Sequence, residues 1–161
     1  MTKTQTTRTT ASNPDVAAAS AQFLSPIVLD LMALTINGNQ AHWHVRGPNF
    51  VGVHELFDQI VANAQGFADT AAERIVALGL PVDARLATVA AKSKPTAVPA
   101  GFTKSDAMIA DVIADMDAAI VNVQAAIDGL GEIDQTSQDV AVEIMRGLEK
   151  DRWDLFAQIS E

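Results

Sequence analysis

Apolar side chains recur every three or four residues along four long stretches of the chain, which is the spacing of one helix face. In the clearest stretch, from Phe50 to Leu78, the apolar positions are Val53, Phe57, Ile60, Ala64, Phe67, Ala71 and Leu78. Pro48 precedes this stretch and Gly79 follows it, and both residue types commonly flank helices. The pattern predicts one helix of roughly 30 residues and roughly 45 Å.

Prolines mark the beginnings of the helices before this one. Asn13-Pro14 has the form of a helix cap followed by a first-turn proline, and a short Ala-rich helix can follow it. The first long helix is predicted to begin at Ser25-Pro26 and to end at Gly47-Pro48, with Asn49 as a cap for the second helix. Residues 1–13 are Thr-rich and aperiodic, so they are predicted to form a flexible N-terminal tail.

Two further long helices are predicted in the C-terminal half, over about 104–128 and about 134–159. The crossover before them holds one short amphipathic piece, over about 85–91. Four long helices with a long, partly helical crossover are typical of the ferritin-like connectivity. We therefore predict an all-α, ferritin-like four-helix bundle with a short extra helix between helices two and three, forming a single domain over 14–161.

Composition narrows the chemistry of any site. The chain has no cysteine, so a metal ion must be held by nitrogen and oxygen ligands. Its net charge of −9 attracts cations and, on average, repels nucleic acid and anionic membranes. Because the N-terminus carries no apolar signal segment, we expect a cytoplasmic protein without a membrane partner, and association with the nucleoid stays open.

The second predicted helix carries two pairs of candidate metal ligands, His54 with Asp58 and Asp69 with Glu73. Each pair is one helical turn apart, and Asp69 returns to within roughly 20° of the direction of Asp58, so all four side chains are predicted to lie on one stripe. The two pairs lie roughly 22 Å apart along the axis, whereas ligands to one ion converge to roughly 2 Å from it. One chain therefore cannot close this site. Two antiparallel copies of the helix, related by a twofold axis near Asn63-Ala64, can bring one pair opposite the other.

His42, near the end of the first long helix, is the remaining nitrogen donor within reach, because the VRGP turn folds that helix back against the second. Two imidazoles and three carboxylates suit iron, with zinc or manganese as substitutes and two ions per site. Small residues between the two pairs would let two helices approach closely; they are Ala62, Ala64, Gly66 and Ala68. His44 lies about 200° around the helix from His42, so we expect a surface or interface role for it.

The segment that carries a family resemblance is AHWHVRGPNFVGVHELFDQIVANAQGFADTAAERIVALG. It resembles the Dps family, the DNA-binding proteins from starved cells. The resemblance implies a dodecamer of tetrahedral symmetry, assembled from twofold dimers around a cavity for ferric mineral. It also implies ferroxidase activity, the oxidation of Fe(II) by hydrogen peroxide in preference to oxygen. The implied ligands are His42, His54 and Asp58 from one subunit and Asp69 and Glu73 from its neighbour.

Two further roles follow from the resemblance. Trp43 would lie beside the site and take part in electron transfer, and the alternative is a core aromatic. Glu132, Asp134 and Asp139 would line an iron-entry pore, and the alternative is a solvated or helix-capping face.

DNA binding is where the chain departs from the family pattern. Members that bind DNA often do so with a Lys-rich tail, whereas the first thirteen residues here offer only Lys3 and Arg8. Because affinity for DNA depends on the number of phosphate contacts, we predict weak or absent binding at moderate salt.

The predicted function is iron storage and detoxification that protects the cell and its DNA from oxidative damage. Two alternatives stay open: a metal-dependent hydrolase that uses the same inter-subunit site, and a DNA-packing shell with little catalysis. The HELFD motif at His54 resembles the zinc-protease helix, but Asp58 stands where that motif requires a second histidine.

Overall fold

The computed structural model describes residues 13–160, which form four long helices, one short helix and a two-stranded sheet. The long helices are α1 (Pro14–His44), α2 (Phe50–Ala77), α4 (Ser105–Leu130) and α5 (Gln135–Phe156). The short helix α3 (Leu86–Lys92) lies in the crossover between α2 and α4. The prediction of an all-α bundle with an extra crossover helix is confirmed.

Helix α1 differs from its prediction, because it is one continuous helix of 31 residues that passes through Pro26. The predicted boundary at Ser25-Pro26 is therefore wrong. A proline inside a helix removes one hydrogen bond, but Leu24 and Ile27 on either side of it are fully buried, and their packing keeps the helix continuous. Asn13 does cap the helix, since its side chain accepts a first-turn backbone N–H at 2.9 Å. The rest of the predicted tail, residues 1–12, lies outside the described residues.

Helix α1 is also long and apolar enough to cross a membrane, by length and composition alone. Half of its most apolar window is buried inside the protein. Core helices of soluble bundles pass the same test, so this feature is weak evidence for a membrane span.

Helix α2 begins and ends close to the predicted residues. Gly79 follows it with a φ of +87°, a conformation that glycine adopts without strain, and its N–H donates to the carbonyl of Val76. Asn49 does not cap the helix as predicted. It adopts a left-handed conformation with a φ of 57°, and its side-chain amide donates instead to Gln158 at 2.6 Å.

A two-residue parallel sheet, missed by the sequence pattern, joins the α1–α2 turn to the start of α4. Strand β1 (Val45–Arg46) pairs with β2 (Thr103–Lys104). Beside it, the Ser105 hydroxyl donates to the carbonyl of Pro48 at 2.9 Å. These bonds fix the turn, and with it the relative position of the C-terminal end of α1 and the N-terminal end of α2.

Two buried aspartates attach the crossover to the bundle. The Asp30 carboxylate accepts the backbone N–H of Lys94 at 2.8 Å and the Asn122 amide at 2.6 Å. Asp115 accepts the backbone N–H of Ala97. Burial raises the pKa of Asp30, although its hydrogen bonds oppose the rise. The segment after α3 is therefore held by carboxylates that lie inside the bundle.

Candidate metal centre

The fold brings His42 and His54 into direct contact across the α1–α2 turn. Their imidazole rings are stacked, with centroids 3.7 Å apart and planes 16° apart. The Nδ1 atom of His42 lies 2.7 Å from the backbone carbonyl oxygen of His54, and Nδ1 of His54 lies 2.7 Å from the carbonyl oxygen of His42. The two histidines therefore hold each other through a reciprocal pair of hydrogen bonds.

This bonding pattern decides which ring nitrogen can bind a metal ion. A carbonyl oxygen only accepts hydrogen bonds, so each Nδ1 must carry the hydrogen. Nε2 of each ring then keeps its lone pair free. Metal-binding histidines commonly show this arrangement, in which one nitrogen donates to a carbonyl and the other faces the ion. Within this chain, Nε2 is thus the ring nitrogen through which His42 and His54 could each bind a metal ion.

The three candidate carboxylates lie on the exposed side of α2. Asp58, Asp69 and Glu73 are all solvent-exposed, and within residues 13–160 none of them makes a hydrogen bond or ion pair. No group of three or more His, Asp or Glu side chains in this part of the chain could hold a metal ion. The structure brings the two histidines together, but Asp58, which the prediction places with them in the same chain, does not form a three-ligand group with them. The assignment of the three carboxylates as ligands stays a prediction.

An open groove of about 690 Å³ lies beside the carboxylate end of α2. Asp69, Ala62 and Gly66 line it from α2, Met32 from α1 and Ala84 from the crossover. Ala64 and Ala68 are buried in the core of their own chain, so they do not face a second copy as predicted, and the axis near Asn63-Ala64 stays a prediction. Of the four small residues singled out in the sequence, Ala62 and Gly66 are the ones exposed to a second copy.

His44 does not join His42 and His54. Its Nδ1 lies 2.8 Å from the carbonyl oxygen of Gln40, and its ring lies 5.3 Å from that of Phe102. Arg46 lies over the same phenyl ring, with its guanidinium carbon 3.3 Å from the centroid. This arrangement agrees with the surface or interface role expected for His44.

Trp43 follows His42 but points outward, with 65% of its surface exposed. The core-aromatic alternative is therefore wrong for the single chain, and the role in electron transfer stays a prediction. Large apolar side chains are exposed elsewhere as well, namely Val51, Val76, Leu86, Phe102, Val121, Trp153 and Phe156.

The three candidate pore residues are not equivalent. Asp134 caps α5 by accepting the backbone N–H of Ser137 at 3.2 Å, and it pairs with Arg74 at 3.0 Å. Burial would raise its pKa, but the bonds from Ser137, Ser20 and Arg74 together lower it to about 2. Asp134 thus has the helix-capping role given as the alternative. Glu132 and Asp139 are exposed, and the pore role stays a prediction for them.

Sequence reasoning missed Phe50, the first residue of α2. Its ring stacks on His54 with a centroid distance of 5.1 Å. The spacing of four residues between Phe50 and His54 was the available signal, because it places both side chains on one helix face.

The family model described as a ferritin-like domain matches residues 22–161. Fold and family model together define a protein of the ferritin-like class. A solved structure of Dps from Microbacterium arborescens in the high iron form is 60% identical, with a TM-score of 0.91 over 94% of this chain and 99% of that one. The tetragonal form of Mycobacterium smegmatis Dps is 26% identical, with a TM-score of 0.89 over 96% of this chain and 95% of that one.

Among curated relatives, the DNA protection during starvation protein of Agrobacterium fabrum is 34% identical over 83% of this chain and 82% of its own length. The chain belongs to the Dps family of ferritin-like proteins. The resemblance seen in the sequence is confirmed, and membership supports a general role in iron storage and in protection from oxidative damage.

Proposed function

We propose that the chain oxidises Fe(II), preferably with hydrogen peroxide, at sites shared by two subunits and stores the ferric product inside a closed shell. The observation that carries this proposal is the division of ligands along α2. One end presents two imidazoles with free Nε2 atoms, and the other end presents carboxylates that their own chain leaves unused. A twofold partner that places its Asp69 and Glu73 opposite His42, His54 and Asp58 completes each site.

The ligand set fits the chemistry of iron as substrate. Neutral imidazoles and carboxylates bind both Fe(II) and Fe(III), and the acidic net charge of −9 favours the entry of cations. Two Fe(II) ions held in one site supply the two electrons that reduce one hydrogen peroxide to two waters, with two protons taken from solution. No single-electron reduction of peroxide is then required, so no hydroxyl radical is released. Trp43, exposed next to His42, is the side chain we assign to electron transfer at the site.

The shell itself is part of the proposal. We propose a dodecamer built from twofold dimers, located in the cytoplasm, with association with the nucleoid left open. The exposed apolar side chains and the groove beside Asp69 support assembly. DNA binding is proposed to be weak or absent, and Lys3 and Arg8, on which that proposal depends, lie outside the described residues. A gel-shift titration at two salt concentrations tests it, because binding through phosphate contacts weakens steeply with salt.

A subunit-mixing experiment tests the shared site. One variant carries His54→Ala with Asp58→Ala, the other Asp69→Ala with Glu73→Ala, and each alone should assemble without oxidising Fe(II). The two variants carry different affinity tags, are co-expressed, and are purified over both tags so that only mixed shells remain. These shells should regain about a quarter of wild-type activity, because each half of a site is intact with probability one half.

The matched control mixes two variants damaged in the same half, His42→Ala and His54→Ala with Asp58→Ala, and should regain nothing. Mixed shells of normal mass that stay inactive in both mixtures would contradict the shared site. For the oxidant, two Fe(II) ions should be consumed per hydrogen peroxide, and peroxide should react faster than oxygen. A one-to-one ratio with a trapped hydroxyl radical would contradict the paired oxidation.

A further inference from the structure

Three aromatic rings form a continuous stack at the histidine end of α2. The Phe50 ring lies on the His54 imidazole at 5.1 Å with an interplanar angle of 26°, and His54 lies on His42 at 3.7 Å with an angle of 16°. His54 therefore has two ring neighbours, the imidazole of His42 and the phenyl ring of Phe50.

Phe50 contributes little to the bundle core. It is the first residue of α2 and 42% exposed, whereas Phe57, two turns further on, is fully buried. A phenyl ring at an exposed helix start has few core contacts to lose. Its aromatic contact within residues 13–160 is with the imidazole of His54.

We propose that Phe50 is a positioning residue that holds the His54 imidazole in its metal-binding orientation; this inference rests on the proposed function. The hydrogen bond at Nδ1 fixes one point of the ring, but a ring held at one point can still pivot about it. The phenyl ring of Phe50 and the imidazole of His42, both stacked on His54, restrict that pivot. The free Nε2 atoms of both histidines then keep a fixed separation before any iron arrives, so less ordering is needed on binding.

Metal binding by the assembled, metal-free protein tests this inference apart from catalysis. Co(II) serves as the probe, because its visible absorption reports nitrogen and oxygen coordination. Phe50→Leu should weaken Co(II) binding about tenfold, the effect expected when a group that orients a ligand is lost. Phe50→Tyr keeps a flat ring and should bind Co(II) as the wild type does.

The matched control is Phe102→Leu, which removes a phenyl ring that is 62% exposed and lies beside His44, a histidine outside the ligand set. It should leave Co(II) binding unchanged. In Fe(II) oxidation, Phe50→Leu should raise the KM for Fe(II) about tenfold and change kcat less, since the ligands themselves remain.

The outcomes separate this inference from the proposed function. A wild type that binds no Co(II) and oxidises no Fe(II) overturns both. A wild type that does both, with Phe50→Leu equal to it in Co(II) affinity and KM, overturns only the role of Phe50. Particle mass is measured for Phe50→Leu and for Phe50→Met, which keeps an apolar side chain without a ring. Failure of both to assemble would show a purely structural role and would also overturn the inference.

Discussion

Acidic side chains serve two different purposes in the interior of the bundle and on the exposed stripe of α2. Inside, Asp30 accepts two hydrogen bonds, and Asp151 accepts the Asn63 amide through both carboxylate oxygens, at 3.0 and 3.1 Å. On the stripe, Asp69 and Glu73 accept none within residues 13–160. The same chemical group is thus fully partnered in one region and free in the other.

This difference separates structural carboxylates from candidate metal ligands. A buried carboxylate costs free energy unless donors satisfy it, so its donors must come from the same chain for that chain to fold. An exposed carboxylate is satisfied by water and remains free to bind a cation. Substitutions inside the bundle should therefore change stability, and substitutions on the stripe should change iron chemistry.

The largest expected effect is on the stripe. Glu73→Gln should slow Fe(II) oxidation by about 100-fold or more, because it removes the negative charge of a proposed iron ligand. The free energy of unfolding of the metal-free protein should change by less than about 0.5 kcal/mol, since Glu73 has no intrachain partner to lose.

Stopped-flow oxidation and thermal unfolding at one protein concentration measure the two effects. Glu143→Gln, at an exposed position on α5, is the matched control and should change neither. Oxidation at the wild-type rate in Glu73→Gln would contradict the assignment of Glu73 as an iron ligand.

The next effect is on stability, inside the bundle. Asp30→Ala should destabilise the protein by about 2 to 3 kcal/mol, because it removes the buried carboxylate that accepts both the Lys94 N–H and the Asn122 amide. Asp69→Ala is the comparison on the stripe and should leave the metal-free protein as stable as the wild type. Equal thermal unfolding temperatures for the two variants would remove the distinction between the regions.

Most of the fold could be predicted from the sequence because the periodicity of α2, α4 and α5 reports burial directly. Local rules failed at Pro26, where packing on both sides outweighs the lost hydrogen bond, and at Asn49, whose side chain bonds Gln158 instead of its own helix. The burial of aspartates such as Asp30 could not be predicted from the sequence pattern. A polar residue between apolar neighbours reads as an exposed position until the donor from a distant part of the chain is known.

The candidate site, like the fold, has features that the sequence could predict and features that it could not. Helical spacing alone placed Asp58, Asp69 and Glu73 on one stripe and required a second chain. The stack of His42 on His54 could not be predicted, because it depends on how the α1–α2 turn is held by two short strands. Neither strand is long enough to produce a sequence pattern.

A smaller effect, which depends on pH, should appear at Asp134. Its pKa is lowered from 3.8 to about 2, so its charged form stabilises the folded protein above pH 4, and this contribution is lost as the pH falls toward 2. Asp134→Asn, which keeps a capping side chain, should cost about 1 to 2 kcal/mol at pH 7 and almost nothing near pH 2.

The contribution of Asp30 to stability should depend on pH in the opposite direction to that of Asp134. Burial raises its pKa, so its contribution is largest at low pH and declines as the pH rises through that raised pKa. For Asp134, thermal unfolding of the wild type and of Asp134→Asn from pH 7 to pH 2 measures how the stability difference between them changes with pH. A difference that is constant from pH 7 to pH 2 would show that the charge of Asp134 does not contribute.

The smallest expected effect concerns Glu132 and Asp139, which are exposed and, like the stripe, unpartnered within residues 13–160. If they line an iron-entry pore, they attract Fe(II) by long-range electrostatics and do not bind it tightly. Glu132→Gln with Asp139→Asn should then slow mineral formation about twofold at low ionic strength, and the difference should shrink as salt screens the field. Oxidation at the stripe, measured at saturating Fe(II), should be unchanged. If the double variant and the wild type form mineral at the same rate at low salt, these residues lie on an ordinary solvated surface. Carboxylates without an intrachain partner would then include some that have no role in iron chemistry.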